Sequence, residues 1–103
     1  MFVLHAPIKV KPGHEEAAQR VFTETFEPAI SAQPGFRGVQ FLRPLDCGDD
    51  CVLAIAFESQ ALQQQWVATD LHTRVWSQME ANFDSWTVKT YQSGTDARGR
   101  RPT

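Results

Sequence analysis

From Val52 to Phe57 the chain runs through six apolar residues without a gap. Turn residues precede the run and Glu58-Ser59 follows it, so it reads as a strand. It is far too short to span a bilayer, which takes about 20 residues. A strand with helices on one face and water on the other alternates apolar and polar residues. This one does not, so both of its faces call for cover. Val3 beside Phe2 and Leu4, and Phe41 beside Leu42, extend the same demand to neighbouring segments. A chain of 103 residues builds one domain around one core and leaves no element to cover a second sheet face. A second copy packed sheet to sheet is the economical cover, and it predicts a homodimer. The alternative is a monomer with one buried central strand whose other strands face water.

The rest of the chain supplies the other elements. Residues 2–10 alternate, with Phe2, Leu4, Ala6, Ile8 and Val10 on one face and Val3, His5, Pro7 and Lys9 on the other. Pro7 lacks an N–H and predicts an edge or a bulge. Lys11-Pro12-Gly13 ends the strand. Helical spacing of Ala18, Val21, Phe22, Phe26, Ala29 and Ile30 predicts a helix over 14–31, with Glu15 and Glu16 in its first turn and a kink at Pro28. Gln33-Pro34-Gly35 breaks the chain before a strand over 36–45, a hairpin turn over 46–50 and the apolar strand over 51–57. A helical region comes next, divided into 59–68 and 71–83 by an N-cap at Asp70. His72, Val75, Trp76, Met79 and Phe83 form one stripe on it. Residues 86–92 form a last strand. The order β-α-β-β-α-β predicts an α+β, ferredoxin-like antiparallel sheet with helices on one face, as one domain over 1–92. Residues 93–103, with two glycines and three arginines, read as a mobile tail.

Several function classes find no support. The net charge of −2 creates no field for nucleic acid, and Arg98, Arg100 and Arg101 are too few to change that. No phosphate loop, catalytic triad, metal cluster or flavin fingerprint is visible. The first segment has no secretory pattern, so a cytoplasmic location is expected, with no membrane partner. Cys47 and Cys51 flank the hairpin turn; in a reducing cytosol they are expected as free thiols, although a cross-turn disulfide is conceivable.

Four motifs carry a family resemblance: Lys9-Val10-Lys11-Pro12-Gly13-His14-Glu15-Glu16-Ala17, Gln33-Pro34-Gly35-Phe36-Arg37-Gly38, Leu42-Arg43-Pro44-Leu45, and Phe57-Glu58-Ser59 followed by Trp66 and Thr69-Asp70. In order and spacing they resemble the antibiotic biosynthesis monooxygenase family, nearest to its haem-degrading branch. The resemblance implies a dimeric α+β barrel whose pocket lies between sheet and helices, with Ala6 and its even-numbered neighbours facing that pocket and His5 facing the dimer side. The haem-degrading members carry an Asn, a Trp and a haem-ligating His; by matching, these fall at Ala6, Trp66 and Trp76. Only the Trp is kept, so haem turnover is not expected, and any haem affinity would rest on His72 or on stacking. The family's cofactor-free members need only a dry pocket and a base. The implied activity is therefore a cofactor-independent monooxygenation of a small phenolic or quinol-type aromatic. A haem-binding or haem-degrading protein and a non-catalytic binding module of the same fold are the alternatives.

The candidate base is His72, whose ordinary pKa suits proton abstraction near neutrality. Trp66, Trp76, Ala6, Phe22, Phe57 and Tyr91 are the candidate substrate-binding residues, with no metal ligand among them. Each has a plainer alternative: the aromatic residues as core packing, His72 as a satisfied buried histidine, Arg37 and Arg43 as surface ion pairs. His14 is expected in solvent.

Overall fold

The apolar strand lies near the middle of a five-stranded antiparallel sheet. The structure, a computed structural model, describes residues 1–46 and 48–94. Cys47 and nearly all of the expected tail lie outside the described residues. Strands β1 (Phe2–Val10), β2 (Phe36–Leu42), β3 (Cys51–Phe57), β4 (Phe83–Trp86) and β5 (Lys89–Gln92) assemble in the order β2-β3-β1-β4, with β5 also paired to β1. This is the ferredoxin-like α+β arrangement read from the sequence, with its last strand in two pieces.

Pro7 explains the division. β5 pairs with Phe2 to His5 of β1, and β4 pairs with Ile8 to Val10, so the gap between them falls opposite Ala6 and Pro7. Thr87 at the break donates its backbone N–H to the Pro7 carbonyl at 3.1 Å. The nitrogen and carbonyl of one strand residue point to the same edge, so the missing N–H of Pro7 also faces the break. Pro7 thus sits in a central strand rather than at an edge, next to the register shift at Lys9/Val10. β2 stops at Leu42, short of the expected Leu45, just before Pro44 removes another donor.

The helices lie on one face. Helix α1 (Glu15–Val21) runs through a π-helical turn (Phe22–Phe26) into α2 (Glu27–Ser31). The irregularity expected at Pro28 therefore comes one turn earlier. A proline ring clashes with the carbonyl four residues back, here Glu24, and that residue lies within the wider turn. Helices α3 (Gln60–Val67) and α4 (Asp70–Glu80) come after β3. Ser59 caps α3 by accepting from the Leu62 N–H, and Thr69 caps α4 by accepting from the His72 N–H at 3.1 Å. The α4 cap is therefore Thr69, while Asp70 is its first residue and favours the positive end of the helix. Phe83 leaves the helical stripe for β4.

Side chains of β1 and β3 alternate between two environments. Phe2, Ala6, Ile8, Leu53 and Phe57 are buried against Phe22, Phe26, Ile30, Val75 and Met79. On the other face Val3, Val52, Ala54 and Ala56 are only partly covered and His5 is exposed. One face of the apolar strand is thus closed within the chain and the other remains half open.

Gly35 links the turn before β2 to α3. Its φ of +79° lies in the left-handed region, and a Cβ there would stand 2.5 Å from Leu62 Cδ1. Its carbonyl also accepts from the Glu58 N–H at 2.8 Å, which holds the backbone in place. Gly35→Ala is expected to destabilise the fold by about 1–3 kcal/mol, seen as a lower urea midpoint at unchanged m-value.

Candidate functional site

A cavity of about 260 Å³ opens between the sheet and helices α3 and α4. Leu4 and Ala6 of β1 and Leu53 and Ile55 of β3 form its floor, as strand parity requires. Trp66, His72 and Trp76 form the helical wall, with Phe26 from the π turn, while Gln63, Val67, Trp86 and Val88 complete the lining. An apolar cavity of about 150 Å³ holds one benzene ring. The space here suits about two fused rings on the same scale.

The aromatic side chains hold one another in place. The Trp66 and His72 rings meet edge to face with centroids 5.0 Å apart, and His72 and Trp76 are nearly parallel at 6.4 Å. Phe26 packs edge-on to both Trp66 and Trp76. Trp76 also meets Trp86 at 5.1 Å, and the Trp86 indole N–H donates to the Glu80 carboxylate at 3.0 Å. The turn at Thr69 lets α3 and α4 present Trp66 and His72 to the same space, since Thr69 both ends one helix and caps the next.

The His72 imidazole makes no hydrogen bond among the described residues. Burial disfavours its cation and lowers its pKa below the usual histidine value. The neutral ring, with a free lone pair, is therefore favoured in the cavity. Stability follows with a definite sign. The unfolded chain takes up a proton at this residue near pH 6.5, while the folded chain resists it. The folded state then binds fewer protons, so stability is full above about pH 6.5 and falls as pH drops below it. His72→Leu is expected to flatten this part of the stability–pH curve, measured by urea unfolding between about pH 7 and pH 5.

Four sequence-derived candidates, Ala6, Trp66, His72 and Trp76, line the cavity together. Three do not. Phe22 stacks on Phe41 at 5.6 Å and Phe57 is fully buried beside Phe36, so both are core beside the cavity. Tyr91 pairs with Val3 and meets the His5 ring at 5.4 Å on the opposite sheet face. Its parity along β5 directs it away from Trp66. Phe26, Gln63 and Trp86 were not singled out by sequence; Gln63, three residues before Trp66 on one helix face, is the one whose spacing carried a signal.

The other polar candidates are occupied. Arg43 pairs with Glu16 at 3.0 Å and Arg37 approaches Glu58 at 3.5 Å, both at the surface. His14 is half-buried rather than free in solvent, with Nδ1 3.0 Å from Asn82 Oδ1. Cys51 is a buried free thiol whose pKa is pushed up mainly by burial. No cluster of three or more metal-binding side chains occurs among the described residues, and no helix among them is long and apolar enough to cross a membrane.

The family model described as Antibiotic biosynthesis monooxygenase matches residues 1–78. No curated protein matches the chain. Among solved structures, SnoaB, a cofactor-independent oxygenase from Streptomyces nogalater, is similar with a TM-score of 0.81 at 16% identity, over 92% of this chain and 94% of its own. The heme-degrader MhuD from Mycobacterium tuberculosis, with two hemes bound, is similar with a TM-score of 0.75 at 20% identity, over 93% of this chain and 98% of its own. At these identities the likeness is one of fold.

Proposed function

Because the chain belongs to the antibiotic biosynthesis monooxygenase family, we propose that its cavity binds a small phenolic or quinol-type aromatic and oxygenates it without a cofactor. The observation that carries this reading is the half-buried His72 imidazole, in ring contact with two indoles at the cavity wall, where burial disfavours its cation. A ring stacked on Trp66 or Trp76 would bring its hydroxyl to His72. The imidazole accepts the phenolic proton, and the apolar cavity leaves the resulting anion poorly solvated and easily oxidised. The substrate then supplies all four electrons that dioxygen takes: one oxygen atom enters the ring, which leaves as a quinone, and the other departs as water, while the protein supplies binding, a base and exclusion of bulk solvent. The similarity in fold to a cofactor-independent oxygenase supports this reading.

Haem fits the site poorly. Ala6 offers no polar atom and the Trp76 indole offers no lone pair for iron. His72 is a usable nitrogen, but a cavity suited to about two fused rings does not enclose a tetrapyrrole.

The half-open sheet face completes the proposal. A second copy packed on Val3, Ala54 and Ala56 would cover the surface that the chain leaves exposed, giving a homodimer. Oxygen consumption with a panel of phenols and quinols tests the activity. Uptake that depends on substrate, without added metal, flavin or haem, is the expected result. No uptake with any member, together with measurable ligand binding, would leave a binding module of the same fold.

A further inference from the structure

Gln63 is the other strongly polar side chain on the cavity wall, and it is only 9% exposed. Its backbone N–H is used within the helix, donating to Ser59. Its carboxamide makes no hydrogen bond among the described residues. Among the described residues no enclosed side-chain nitrogen or oxygen lacks a partner, so the unbonded carboxamide keeps an opening to the cavity, where water or a ligand oxygen can reach it. Gln63 lies one helical turn before Trp66, so its amide and the indole address the cavity from the same face of α3.

We propose that Gln63 is a positioning residue, which hydrogen-bonds an oxygen substituent of a planar aromatic ligand while the ring stacks on Trp66. The inference rests on the cavity being the ligand site proposed above, but not on any oxygenation there. A carboxamide can donate to a carbonyl or phenolate and accept from a hydroxyl, so it serves a ligand oxygen before and after proton loss. Its place on α3, with His72 on α4, gives the ligand two polar fixing points in an apolar surround. Together they define which edge of the ring enters first.

The test compares 2-naphthol with naphthalene by equilibrium dialysis against the wild-type protein, Gln63→Leu and Gln63→Met. The wild type is expected to prefer 2-naphthol by about tenfold, the size of one net hydrogen bond. Both variants are expected to lose that preference while keeping naphthalene affinity and the wild-type melting temperature. A preference that survives in the variants assigns the hydroxyl to His72 and overturns the proposal. So does a lower melting temperature in both variants, which would make Gln63 structural. Failure of the wild type to bind either probe overturns it too. Loss of the naphthol preference without any oxygen uptake keeps this role for Gln63 and removes only the oxygenase reading.

Discussion

His72→Ala is expected to lower turnover by about 10²–10⁴-fold, the usual contribution of a positioned general base. The loss should appear in kcat, because the imidazole acts on the proton rather than on the ring. In the wild type, the acid limb of kcat/KM should fall at a pH below the ordinary histidine range, since burial lowers the pKa of His72. That limb should vanish in the variant. Trp66 needs a gentler change. It is buried to 2% exposure against Phe26 and His72, and truncation to alanine would cost about 3–5 kcal/mol in packing alone. Trp66→Phe keeps most of the volume and should raise KM more than it lowers kcat. If His72→Ala retains full turnover, or only loses melting temperature in step with activity, the imidazole is a packing group and the base lies elsewhere.

Ala54→Asp should dissociate the protein and unfold it in one transition. Ala54 sits in the middle of β3 on the half-open face, opposite His5 of β1 and Gln40 of β2. If a second copy covers that face, the carboxylate loses its hydration with only the His5 imidazole and the Gln40 amide opposite to replace it, at a cost of about 1–3 kcal/mol or more. If the face meets water, the same change costs about 0.5 kcal/mol or less. Sedimentation equilibrium at micromolar concentration should give twice the chain mass for the wild type. A monomeric wild type whose stability is unmoved by Ala54→Asp would show the face to be bare.

The sheet was legible because its signals are local and redundant. Alternation in β1, the unbroken β3 and the breaks at Lys11-Pro12-Gly13 and Gln33-Pro34-Gly35 all agree with the observed order. Boundaries were less so. Asp70 and Thr69 are both good caps, and only the geometry shows that the Thr69 hydroxyl accepts from His72. Phe83 continued the helical stripe by spacing, yet β4 claims it because Val10 of β1 pairs with it. At the site, Trp66 and His72 were readable because a predicted helix break lay between them. Tyr91 was misplaced because its face depends on where β5 begins, and the break at Thr87 and Val88 is set by Pro7 across the sheet. Gln63 was passed over because a glutamine on a helix is ordinarily solvated, and burial is a property of the tertiary fold.

The π turn has a consequence for how such a cavity changes over generations. Ala18, Phe22, Phe26 and Ile30 are all buried and stand four residues apart. In an unbroken α-helix each four-residue step overshoots a full circle by about 40°, so three steps would swing the last of them by about 120°. The π turn has more than four residues per turn and winds part of that drift back. It is equivalent to one residue inserted into a helix whose ends stay fixed. Deleting a residue between Phe22 and Phe26 would therefore let the turn close into regular winding while α1 and α2 keep their seats on the sheet. Elsewhere in a helix the same deletion would turn every later side chain by about 100°. At this one place the chain can take up or lose a codon and still present Phe26 to Trp66 and Trp76.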